Sequence, residues 1–193
     1  MALLLLAGLS SVVRADDLSG LAGGSRILAS RTAGNWVLLS VSDVESGGQV
    51  LACKLDGRWH KVTSGGGVMG AGEFYQHGVP QELWSALLGH PLSAEEMAQV
   101  KQMQSEDAPP DDAGRLLKAA DLQHASAWSL LIWRNSIYAR HGYVFHDPLL
   151  AQYFSSRPWY HPDPGFNPKS LSAVERSNVE FIRSYQKQHG LDF

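Results

Sequence analysis

His141, His146 with Asp147, and His161 with Asp163 are the chain's only grouping of side chains with metal-ligand chemistry. A zinc site takes three or four such ligands in a tetrahedral array. The spacings here match no metal-binding pattern, and H-E-x-x-H is absent. Helix capping and loop hydrogen bonding are therefore the expected roles, with a metal-dependent or other hydrolase using His141, His146 and Asp147 as the alternative. A nucleophilic hydrolase has less support. No G-x-S-x-G occurs, and Cys53 is the only cysteine. Cys53 alternates with apolar residues in QVLACKL and reads as an inert core thiol, with His60 opposite it across a hairpin. One cysteine permits no internal disulfide and no multi-cysteine metal site. No catalytic residue, metal or cofactor is assigned on these grounds.

Two further groups could bind rather than react. Leu130, Arg134, Ile137 and His141 share one helical face, which turns Arg134 inward, where a guanidinium must be paired. Glu175, Glu180 or carbonyls of the loop over 157–168 are the available acceptors, with Asn135 and Asn178 as amide clips. The competing reading has the arginines offering a fork to an anionic ligand such as a carboxylate. Trp159-Tyr160 lies on that same proline-rich loop, where rings could stack on a sugar. Thirteen of the eighteen Phe, Trp and Tyr residues follow position 127. A domain of about 60 residues needs large rings to bury enough surface, so most of them belong to a core. The candidate ligand-binding set is Arg140, His141, Trp159 and Tyr160. The candidate structural set is Arg134, Asn135, Tyr138, Arg140, His141, Gly142 and Asn178.

The run Tyr138-Ala139-Arg140-His141-Gly142, with Arg134-Asn135 before it and Phe145, Asp147, Tyr153-Phe154 and Trp159-Tyr160 after it, resembles the YARHG domain over about residues 128–188. The resemblance implies a bacterial, extracellular protein and brings no activity with it.

Composition narrows the partners. Residues 1–127 carry nine Lys/Arg against fourteen Asp/Glu, and residues 128–193 carry seven against five. Neither part is basic enough for a nucleic-acid binder. Gly65-Gly66-Gly67-Val68-Met69-Gly70 satisfies G-x-G-x-x-G formally. The strands before it form a meander rather than a parallel βαβ unit, so a flexible turn is expected there instead of a dinucleotide site. Partners remain unknown, with an envelope polymer and a secreted protein as the classes left open.

The N-terminal MALLLLAGLSSVVRADD has an apolar run from Leu3 to Val13, then Val13-Arg14-Ala15. This suits signal-peptidase cleavage after Ala15, and the run is too short to span a bilayer. No cationic residue precedes the run, which leaves room for a start codon upstream of Met1. Export to the periplasm or beyond is expected, with no membrane span in the mature chain.

The elements that would position these side chains can be read from pattern. Residues 35–41, 49–55 and 58–64 form an antiparallel meander, the last two joined at Asp56-Gly57. Helices follow near 71–77, ended by Gly78, and 80–88, ended by Gly89. Ser93-Ala-Glu-Glu96 is a capping box for a third, through about Met103. Residues 104–114, QSEDAPPDDAG, hold four acids, two prolines and no positive charge, which is linker composition. Beyond it, helices are expected over about 125–141, from Asp147-Pro148 to Ser155, and from the capping box Ser172-Ala-Val-Glu175, the last with Val174, Phe181, Ile182 and Tyr185 on one face. The expected fold is α+β: a signal peptide over 1–15, a small β-meander module with helices over 16–103, a linker over 104–114, and an all-α domain over 115–193.

Overall fold

The computed structural model describes residues 18–43, 46–111 and 114–193, so the expected cleavage site at Ala15 lies outside the described residues. The fold is α+β. Strands β1 (Arg26–Ala33), β2 (Trp36–Ser42), β3 (Gly47–Leu55) and β4 (Arg58–Gly66) form an antiparallel sheet in chain order. The meander expected from alternation is β2–β4. The first strand was not legible because RILASRTA is an edge strand with mostly exposed side chains and no period-two pattern.

The glycine run is a correction to the flexible-turn reading. Gly66 pairs with Gly48 and Gly65 with Gln49, so the first two glycines belong to the β3–β4 ladder. A Cβ on Gly48 would lie 2.4 Å from the Gly65 carbonyl oxygen. The close approach requires glycine at 48, whereas a Cβ on Gly65 would meet nothing within 4 Å, and Gly67 (φ +94°) turns the chain away.

Helices α1 (Ala71–Gln76), α2 (Trp84–Leu88, preceded by a 3-10 turn) and α3 (Ala94–Glu106) follow the sheet. Gly78 and Gly89 adopt left-handed conformations at the expected ends. The Ser93/Glu96 capping box is present, with Glu96 N–H donating to Ser93 Oγ and Ser93 N–H to Glu96 Oε2. After the short α4 (Ala119–Leu122) come α5 (Ala127–Arg140), α6 (Pro148–Ser155) and α7 (Ala173–His189). Asp147 caps α6 by accepting the Leu150 N–H, as its position before Pro148 predicts.

One apolar cluster crosses the boundary read from composition. It joins Trp36, Leu38, Leu51 and Val62 of the sheet and Phe74, Trp84 and Val100 of α1–α3 to Trp128 and Ile132 of α5. The Trp128 ring meets Trp36 edge-on at 6.3 Å and Tyr153 of α6 at 5.9 Å. Cys53 lies in this cluster, fully buried, and its thiol is pushed up to about 12, first by burial and then by the charge of Asp147. A thiolate is thus suppressed, in keeping with an inert core role.

Because the sheet and α5 share side chains in one core, thermal unfolding followed by far-UV circular dichroism and by tryptophan fluorescence should give one coincident transition. Two separated transitions, or protease release of a folded fragment beginning near residue 115, would show that each side of the acidic segment has a sufficient core of its own.

The signature cluster as candidate functional site

Helix α5 places the signature residues at its C-terminal end. Ser126 starts the helix by accepting the Ser129 N–H. At the other end the backbone closes itself: His141, Gly142 and Tyr143 N–H groups return to the Tyr138 and Ala139 carbonyls. Gly142 sits at φ +79°, and a Cβ there would lie 2.8 Å from Asp163 Cβ and 3.0 Å from the His161 carbonyl oxygen. Its own carbonyl accepts from Asp163 N–H at 2.7 Å. Glycine is therefore required twice, for the left-handed turn and for the loop packed over it.

With the carbonyls satisfied by backbone, the His141 ring is released from the helix-end role expected of it. Its Nε2 reaches across to Glu175 Oε1 on α7 at 2.9 Å, and Arg140 Nη2 lies 3.4 Å from the same oxygen. The other carboxylate oxygen accepts the Ser172 N–H at 2.8 Å, while Glu175 N–H donates to Ser172 Oγ. Glu175 is 4% exposed. Burial alone would raise its carboxyl, but the hydrogen bonds from His141 and from the Ser172 backbone and hydroxyl outweigh it and hold the group below the ordinary carboxylate range. Arg140 also donates from Nη1 to the Pro110 carbonyl, within the acidic segment.

Two more polar side chains line the same buried face of α7. Asn178, 1% exposed, accepts the Leu117 N–H at 2.8 Å and donates to the Arg115 carbonyl at 2.9 Å. Gln186, also 1% exposed, accepts from Arg134 Nη1 at 2.7 Å and donates to the Leu191 carbonyl. Arg134 thus turns inward as expected, but its partner is an amide rather than Glu175 or Glu180. Burial, and then Arg183 nearby, draws its guanidinium below the ordinary value. The buried stripe of α7 is Glu175, Asn178, Val179, Ile182 and Gln186, about one residue round from the expected face. Three polar members hid it from a purely apolar pattern. Asn135 is an amide clip only within its own helix, donating to the Leu131 carbonyl at 2.8 Å.

The aromatic half of the candidate set lies in a different core. Tyr160 packs with Ala139, Phe145 and Phe154, and its hydroxyl donates to the Tyr143 carbonyl at 2.7 Å. Trp159 meets Phe154 edge-on at 6.0 Å. Arg140 and His141 converge on Glu175, whereas Trp159 and Tyr160 converge on Phe154. The His141, His146 and Asp147 grouping is also divided: His141 faces Glu175, Asp147 caps α6 and His146 is exposed. Among the described residues no group of three or more His, Cys, Asp and Glu side chains is placed to hold a metal ion.

Arg157 escaped the sequence reading. It opens the proline-rich loop, is 5% exposed, and lies between the rings of Tyr75 and Tyr153, 4.2 Å from each. It donates to the Tyr75 carbonyl, and its Nη1 lies 3.4 Å from Asp107 Oδ2, which also accepts the Tyr75 hydroxyl at 2.7 Å. Burial, then the bond to Asp107, pushes the Tyr75 hydroxyl up. The available signal was an isolated arginine just past a helix end, which is weak by itself.

A model of the YARHG domain matches residues 110–187. The C-terminal part of the chain carries a YARHG domain. The match begins well before the residues that carried the resemblance. Pro110, Arg115 and Leu117, tied to Arg140 and Asn178, account physically for an N-terminal arm in the YARHG unit. No curated protein and no solved structure matches the chain. YARHG domains are typically found in exported proteins, and no described helix is long and apolar enough to cross a membrane.

Proposed function

We propose that this is an exported cell-envelope protein whose YARHG domain is a non-catalytic binding or interaction module. The observation that carries the reading is the Glu175 hub. The residues with the greatest chemical capability, Arg140 and His141, are bonded to a buried carboxylate that itself caps a helix. A general base or an anion fork needs its polar atoms directed at a substrate. Here they are directed at one another and at the arm around Pro110. The signature set is thus a framework: Arg140, His141 and Gly142 fix α5 to α7 and to the 157–168 loop, while Arg134 and Asn178 fix the chain on either side. Trp159 and Tyr160 contribute chiefly to the aromatic core under that loop. An envelope polymer or a secreted protein is the partner class consistent with export.

Cleavage after Ala15 gives a mature chain beginning at Asp16. Expression with the native leader, fractionation and N-terminal sequencing should find Asp16 first in the periplasmic or secreted fraction. Cytosolic protein still beginning at Met1 would remove the localisation on which this reading depends.

A further inference from the structure

A cavity of about 310 Å³ opens where the loop after α1 meets the end of α6. It lies at the seam between the sheet-bearing part and the YARHG domain, a common place for small-molecule sites, and its volume is at the small end of their range. The seam is braced from behind: Arg157 is clamped between Tyr75 and Tyr153, and Tyr75 lines the cavity.

The lining has one kind of chemistry. Side-chain amides come from Gln81, Gln104 at the end of α3 and Gln152 of α6, and hydroxyls from Ser155 and Ser156. Pro80 supplies apolar surface over the buried Tyr75, Val79 and Trp84, and Glu82 the single carboxylate. Among the described lining residues there is no Lys, Arg or His. An anion therefore finds no cation, and one exposed carboxylate makes a poor cation site. Gln104 is half-buried, and its amide makes no hydrogen bond among the described residues, so both a donor and an acceptor are open to the cavity. Gln152 is held only by a 3.5 Å contact to the Gly78 carbonyl. Paired donors and acceptors beside the apolar Pro80 ring are the complement of a sugar ring, with hydroxyl edges and a C–H face.

We propose that this seam cavity binds a neutral, polyhydroxylated ligand: one sugar unit of a glycan, held by the Gln104 and Gln152 amides with its apolar face toward Pro80. The proposal deepens the binding-module reading and rests on it. Neither Trp159 nor Tyr160 lines the cavity, so substitutions can test the two places apart.

The experiment is a calorimetric titration of the full mature chain with triacetylchitotriose and with maltotriose, using citrate as an anionic control. Wild type should bind at least one trisaccharide and not citrate. Gln104→Leu and Gln152→Leu should each weaken that binding about tenfold, the worth of one lost polar contact. Ser155→Trp, a change at an exposed position that fills the cavity mouth, should abolish it with the melting temperature kept, which separates loss of the site from loss of the fold. Absence of binding by both trisaccharides overturns the proposal. So does binding that survives all three substitutions; in that case a sugar site elsewhere, such as the Trp159-Tyr160 loop, would leave the binding-module reading standing.

Discussion

Replacing Glu175 by alanine should destabilise the protein by about 3–5 kcal/mol, the cost of breaking a buried ion pair from one side. The substitution removes the acceptor of His141 Nε2, the carboxylate partner of Arg140 and the cap on Ser172 N–H in one step. The Arg140 side chain is only 14% exposed, so it would lose a carboxylate partner where solvent makes up little of the loss. Glu175→Gln keeps hydrogen-bonding oxygen and loses the charge, and should cost less. His141→Ala should cost only about 1 kcal/mol, one hydrogen bond at a partly exposed site. Acid should mimic the large loss. The Glu175 carboxyl is held below its ordinary value, so its contribution is complete above the unfolded carboxylate pKa and declines as pH falls through the folded one. The difference in melting temperature between wild type and Glu175→Gln should therefore shrink below about pH 4. A constant difference down to strongly acidic pH would show that the carboxylate charge contributes nothing there.

Arg157→Ala should cost about 2–4 kcal/mol, by loss of a buried cation sandwiched by two rings and bonded to a carboxylate and a carbonyl. Its contacts come from α1, from the acidic segment at Asp107 and from α6, so the loss should reach both sides of the seam. Denaturant midpoints read from sheet-side and YARHG-side probes should fall together. Lysine should fail to restore stability, because an ammonium cannot stack flat between Tyr75 and Tyr153 while bonding the Tyr75 carbonyl. Full recovery with Arg157→Lys would mean that charge alone matters at this position.

What could be read in the sequence was whatever depends on local chemistry. Ser93/Glu96, Ser172/Glu175 and Asp147-Pro148 mark helix starts because short side chains must satisfy specific backbone N–H groups. Gly78, Gly89 and Gly142 mark ends because the turn requires a left-handed residue. Strands β2 to β4 were legible from residue pattern and the Asp56-Gly57 turn. Edge strand β1 was hidden because an exposed edge imposes no apolar period.

The candidate site was legible in identity more than in pairing. Arg134 could be placed inward from its helical phase, but Gln186, fifty-two residues away, could not be chosen over Glu180 without the α5–α7 packing. His141 could be placed at a helix end, but its reach to Glu175 depends on that same packing. The acidic segment differs again. Its composition describes an unpacked connector, while Asp107 and Pro110 are held by arginines from far along the chain. Long-range charge complementarity leaves no local mark.

Arg140 and Glu175 act on each other within the fold if the signature is a framework. A double-mutant cycle on Arg140→Ala, Glu175→Ala and the pair, read by chemical denaturation at neutral pH, measures that directly. The predicted result is a coupling energy of at least about 1 kcal/mol, with both single variants clearly destabilised. Additive effects within about 0.3 kcal/mol, with Arg140→Ala melting like wild type, would contradict the account and make the signature a ligand site instead.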